Sequence, residues 1–229
     1  MFRRKSSFKG MKGRMTGKAK KAVKRLLDKP TADRLSAVAM LATQENRQPF
    51  RPQPGSGLGD IGACKAVAEA MKAVPNDLSI QTEGCRAVEA LADRDGENVL
   101  RLGQAECCQL VERALGKFPN DSMLQTQGCR AVTNLFNGEG NSKQLVKRKA
   151  CQLVVAALAK FPNDHEVQIE ACGAIANLAN NSKTNRDLLS KIGACDLVAK
   201  SMSNFPSNID VQHAACVAVG NLANRHPEN

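Results

Sequence analysis

The sequence predicts an all-α fold, a right-handed α-solenoid built from short helical repeats. Four independent markers share one period, helix-spaced apolar residues lie between them, and aromatic side chains are scarce. Cys64, Cys108, Cys151 and Cys195 follow one another at 44, 43 and 44 residues. Pro75, Pro119, Pro162 and Pro206 keep those intervals, as do Gln81, Gln125, Gln168 and Gln212, and Cys85, Cys129, Cys172 and Cys216. A unit of this size cannot bury its apolar faces alone, whereas stacked neighbours share a continuous core. With 7 Phe and no Trp or Tyr, that core has to be made from Ala, Val, Leu, Ile and Cys.

Each element follows from local chemistry. Residues 105–117 and 148–161 carry apolar side chains at helical spacing, for example Leu110, Ala114 and Leu115. Pro119 and Pro162 stop these helices, since proline has no N–H and restricts the residue before it. Asn120-Asp121 and Asn163-Asp164 supply cap side chains for the next helix, which runs to about Leu135 or Leu178. A short helical turn near Val99–Leu102, or Asp187–Leu189, makes three helices per unit. The full repeats are placed at 58–97, 98–140, 141–184 and 185–229. Residues 18–47 read as a degenerate N-terminal cap repeat: Lys21-Ala22-Val23 lies 44 before Lys65-Ala66-Val67, and Ala37–Leu41 resembles Ala87–Leu91. Residues 48–57 form a Pro/Gly-rich insertion where later units carry their short helix, and residues 1–17 a basic flexible tail.

In the later units Val167-Gln168, Ala171-Cys172-Gly173-Ala174 and Asn177-Leu178-Ala179 are followed by Asn185-Arg186 and Ile192-Gly193-Ala194. This pattern resembles the armadillo repeat, over about residues 18–224, with the HEAT repeat as the near structural alternative. The resemblance implies that the third helices line a concave groove and that the Asn of the Asn-Leu-Ala ending clamps the backbone of an extended peptide. A carboxamide offers a donor and an acceptor and so matches a peptide unit without reading its side chain. The matching residues are Asn134, Asn177 and Asn221, with Ala90 and Met40 at that position in the first two units. The alternative is that these amides bond to the solenoid itself.

Four residues earlier on the same helix face stand Arg86, Arg130, Gly173 and Val217. Nuclear-import adaptors of the family carry Trp there, and its absence argues against that role. Arg86 and Arg130 suit an acidic or phosphorylated ligand, unless they form a solvated face or pair locally with Glu83 or Glu89. Glu83, Gln127 and Glu170 would add a mixed polar rim.

Eight of the nine cysteines occupy the two repeat positions, without Cys-x-x-Cys spacing or a matching histidine. They read as small buried hydrophobes rather than metal ligands or disulfides, and many unpaired thiols suit a reducing intracellular, cytoplasmic or nuclear compartment. No metal or cofactor is implied. His165, His213 and His226 form no catalytic constellation, and no phosphate-binding loop or nucleophile motif is present, so no enzymatic activity is expected.

The net charge of +11 is localised: residues 1–29 hold 12 Lys/Arg against Asp28, and the remainder is balanced. Arg3, Arg4, Lys5, Lys9, Lys12 and Arg14 make the tail basic, and Arg3-Arg4-Lys5-Ser6-Ser7 resembles a basophilic kinase site. Over 18–29, Ala19, Ala22, Val23, Leu26 and Leu27 share one face amid lysines, which reads either as a membrane-surface helix or as the solenoid cap. At the other end Asn221–Asn224 closes the last third helix with no polar capping helix after it, so a further segment or another subunit is expected on that face.

The expected function is a non-enzymatic scaffold binding an extended protein segment in the groove. The second reading is an adaptor for an anionic membrane or nucleic acid through residues 1–29, with the repeats as spacer or self-association module.

Overall fold

A computed structural model describes residues 17–47, 57–147, 149–180 and 182–224. The described residues are helices and short connections. The first unit holds α1 (17–28) and α2 (Ala32–Asn46), and the second α3 (Ala63–Ala73) and α4 (Leu78–Ala92). Three helices make up each later unit: α5 (Gly96–Gln104), α6 (Cys107–Lys117) and α7 (Ser122–Phe136); α8 (Glu139–Lys147), α9 (Ala150–Lys160) and α10 (His165–Ala179); α11 (Lys183–Lys191), α12 (Ala194–Asn204) and α13 (Ile209–Ala223). The repeat period is thus the period of the architecture. The last helices of successive units, α2, α4, α7, α10 and α13, pack side by side as one ladder, and α3, α6, α9 and α12 form a second layer behind it.

The recurring residues each have a structural task. Asp77, Asp121, Asp164 and Asn208 are the N-caps of α4, α7, α10 and α13, their side chains accepting hydrogen bonds from first-turn amides such as Leu124 N at 2.8 Å. The glutamines one turn further on work in the opposite direction. Gln125 Nε2 donates to Leu115 O (2.9 Å) and Phe118 O (3.1 Å), and Gln81, Gln168 and Gln212 repeat this pair of bonds. Each glutamine satisfies a carbonyl in the last turn of the preceding helix, shares the C-cap carbonyl with the N–H of the next N-cap residue, and ties two helices together. Gly128 sits where a Cβ would come within 2.4 Å of Leu115 Cδ2, so α7 and α6 approach more closely than a side chain would allow.

The residue before each middle helix takes a left-handed conformation. Gly62 (φ 87°) and Gly193 (φ 80°) adopt it freely, whereas Glu106 (φ 67°) and Lys149 (φ 84°) adopt it with strain. The sharp reversal at Glu106 starts α6 at Cys107 rather than 105, and the turn expected near Val99–Leu102 is a full nine-residue helix, Gly96–Gln104. The core runs unbroken through the stack, with Leu91, Leu115, Leu135, Leu158 and Leu178 all below 2% exposed. Seven of the nine cysteines are buried, Cys195 is partly so, and Cys216 is exposed. Burial raises the Cys85 thiol to about 12 and Cys172 to about 11, the latter against an opposing hydrogen bond with Ser201.

In the first unit Ala19, Val23 and Leu26 of α1 are buried against the solenoid, so this apolar stripe is not presented to the outside. Arg34 holds the end of α1 by donating to Arg25 O and Lys29 O, both at 2.6 Å. Gly17, placed in the tail by sequence, is already helical; the rest of the tail, including Ser6 and Ser7, and residues 48–56 of the insertion lie outside the described residues. In the last unit Val217 and Val219 are 43% and 42% exposed, whereas Val88, Val132 and Ile175 are fully buried in earlier units. No helix among the described residues is long and apolar enough to cross a membrane.

Candidate functional site

The ladder presents one residue per helix at each level, because the helices are parallel copies of one pattern. α2 and α4 both have 15 residues, and aligned end to end they bring Met40 level with Arg86. This corrects the register in which Met40 stood at the Asn position: aligning Ala37–Leu41 with Ala87–Leu91 overlooked that α2 continues to Asn46. Met40 is 62% exposed. The row across the ladder is therefore Met40, Arg86, Arg130, Gly173 and Val217, an apolar residue at each end, two guanidiniums, and a gap where nothing lies within 4 Å of a Cβ built on Gly173.

The asparagines bond along the stack. Asn134 Nδ2 donates to Glu89 O at 3.2 Å, Asn177 to Thr133 O at 3.4 Å and Asn221 to Ala176 O at 2.9 Å. Each bond lands on the residue just before the equivalent position in the preceding unit, so the amides join neighbouring helices. One N–H of each carboxamide is engaged this way, while its second N–H and its oxygen make no other bond among the described residues. In the first unit Asn46, which sequence reasoning passed over, donates forward to Ala90 O at 2.8 Å. In this register Asn46 is level with Ala92, so the repeat spacing does not single it out.

The charged residues converge on α4, α7 and α10. Arg86 pairs with Glu83 at 3.3 Å within α4, and Arg130 Nε reaches Glu170 on α10 at 2.8 Å. The local-pair alternative for Arg86 is thus what the side chains adopt, and Arg130 pairs across two units, which sequence alone did not bring together. Gln127 is buried at 8% exposure and contributes little to the rim. Glu89 stands among these charges. Burial pushes its carboxyl above the ordinary 4.5, Asp93 and Glu170 push the same way, and Arg130 and Arg86 oppose them. Glu83 Oε2 and Thr133 Oγ1 are buried and meet no hydrogen-bond partner among the described residues. Glu83 and Glu170 pair with the two guanidiniums, Asp93 pairs with Arg94 at 3.9 Å, and Glu89 lies within the field of these charges, which leaves one carboxylate in excess.

No group of side chains among the described residues could hold a metal ion. The arrangement offers hydrogen-bonding amides and fixed charges along an extended strip, which is binding chemistry.

Comparison with known proteins agrees with this architecture. No curated protein sequence matches the chain. Among solved structures, an engineered protein is 22% identical with a TM-score of 0.74, covering 90% of this chain and 81% of its own. A designed armadillo repeat protein in complex with the peptide (KR)4 is 20% identical, TM-score 0.69, over 90% of this chain and 82% of that one. Computationally designed armadillo repeat proteins for modular peptide recognition reach 17% and 0.65, over 95% and 94%. At these identities the likeness is one of fold. The family profile described as the LRRK2 ARM repeat matches residues 98–226, more than half the sequence. The chain belongs to the armadillo-repeat family, as an all-α solenoid of the LRRK2 ARM-repeat type.

Proposed function

We propose that the protein is a non-enzymatic scaffold that binds an extended peptide segment of another protein along the ladder face, the concave face in an armadillo solenoid. The observation that carries this reading is the strip itself: half-buried amides at one-unit intervals beside a charged cluster with a buried oxygen, Glu83 Oε2, left without a partner. Five helices about 10 Å apart span about 40 Å, the length of roughly twelve extended residues. Asn134, Asn177 and Asn221 would meet the peptide backbone through the N–H and oxygen not engaged in the stack.

Charge decides which side chains the strip favours. Unpaired, Arg86 and Arg130 would draw an acidic or phosphorylated peptide. Both are already paired, so such a ligand has to displace Glu83 and Glu170. A basic side chain meets the acidic excess directly and relieves the burial cost on Glu89. The electrostatics therefore favour a segment with basic residues at its centre and apolar ones toward Met40 and Val217. Fluorescence anisotropy with twelve-residue peptides, one Lys/Arg-centred and one Glu/phosphoserine-centred, tests this. The basic peptide should bind at least about tenfold tighter, and Glu83→Gln with Glu170→Gln should remove that advantage. Preference for the acidic peptide, abolished by Arg86→Ala with Arg130→Ala, would establish the arginine-led reading. Binding of neither peptide, with the fold intact, would overturn the groove.

A further inference from the structure

The outer face of α1 is a strongly basic surface, and the core does not use it. With Ala19, Val23 and Leu26 turned inward, the 100° step of the helix places Lys20, Lys24, Lys21, Arg25 and Lys18 on the opposite arc of about 160°, interrupted by Asp28 and the uncharged Gly17. All five cations are exposed, and Lys29 follows them. No ion pair joins any of these cations among the described residues, unlike the charged strip on the ladder. The helix is about 18 Å long, so the five charges lie within about two Debye lengths of one another at physiological salt. Leu27, 57% exposed, borders the arc beside Lys20 and Lys24.

We infer that this face docks on a bilayer surface carrying acidic lipid headgroups. The contact is electrostatic, with Leu27 as its one apolar element, and it leaves the cap in place. It differs from the insertion of an amphipathic helix, which would require withdrawing Val23 and Leu26 from the core. Three features favour lipid over nucleic acid. Residues 17–47 contain no aromatic side chain on which a base could stack. Four of the five cations are lysines, point charges suited to a diffuse negative plane, rather than arginines that grip single phosphates bidentately. The surface is a convex helix, and the exposed Leu27 finds an apolar sink only in lipid.

The test is co-sedimentation of the full chain with phosphatidylcholine vesicles containing either no phosphatidylserine or 30% of it. Binding should require the acidic lipid and weaken steeply between 0.1 M and 0.5 M salt. Each cation removed should cost about fivefold, so Lys20→Gln, Lys21→Gln, Lys24→Gln and Arg25→Gln together should reduce binding several-hundredfold. These positions are exposed, so the variant should keep its circular dichroism and its peptide binding at the ladder, which separates this contact from the groove. A parallel variant with Arg3, Arg4, Lys5, Lys9, Lys12 and Arg14 changed to Gln keeps α1 intact and should still bind acidic vesicles. The inference is overturned if the wild-type chain ignores acidic vesicles, if the α1 variant binds as well as wild type, if the tail variant alone loses binding, or if a 20-mer RNA or DNA duplex outcompetes the vesicles at equal charge.

Discussion

Glu89 shows how one buried carboxyl can cost the fold stability. Its carboxyl is raised by burial, with Arg130 pulling the other way and Asp93 and Glu170 reinforcing the rise. A carboxyl with a raised folded-state pKa contributes stability below its unfolded value, and that contribution is lost as pH climbs through the folded value. At neutral pH the ionised group therefore weakens the fold. Glu89→Gln should melt higher than wild type at pH 7–8, and the difference should shrink on acidification below the ordinary 4.5. Thermal melts across that range check the sign; a difference that grows on acidification would mean the arginines outweigh burial. The Glu89 backbone carbonyl, which receives Asn134, is untouched by this change.

At the scale of the element, the repeated glutamine is the joint of each unit. Sequence reading used Gln81, Gln125, Gln168 and Gln212 only to measure the period, because a glutamine's task depends on which carbonyls the fold leaves open. The structure supplies it: Gln125 donates to the buried Leu115 carbonyl and to the half-buried Phe118 carbonyl at the end of α6, and the same geometry recurs in the other units. Removing both bonds strands the buried Leu115 carbonyl, while Phe118 O keeps the Asp121 N–H at 3.3 Å. Gln125→Leu keeps the side-chain volume and should destabilise the chain by about 2–3 kcal/mol in urea unfolding, with the m-value unchanged. The helices, the proline stops and the aspartate caps were legible because each rests on chemistry within a few residues. Glu106 and Lys149 were not recognised as left-handed, since neither is the glycine that normally marks such a position.

For the whole molecule, a stack whose units touch only their neighbours should lose order from its less supported parts. α7 and α10 are flanked by ladder helices on both sides, whereas α13 exposes Cys216, Val217 and Val219. Native-state hydrogen exchange should therefore find amides of α7 and α10 at least about tenfold more protected than those of α13. Uniform protection across the three would show that the solenoid unfolds as a single unit. Basic peptide bound at Glu83 and Glu170 should extend protection in α4 and α10, because the proposed contacts lie on those helices.

The sequence by itself determined the repeat, the helical elements, the aliphatic and cysteine core, and the gathering of positive charge into the first 29 residues. All of these are written in spacing and composition, which survive without knowing which helix meets which. The tertiary structure decided what depends on neighbours a whole unit away. It turned the Asn134, Asn177 and Asn221 amides along the stack, brought Arg130 onto Glu170, and buried the apolar stripe of α1 while leaving its lysines outside. The reason is physical. Period and patterning fix which face of a helix is buried, whereas the partner of a polar side chain is set by a distance of a few ångströms across an interface the linear sequence does not display.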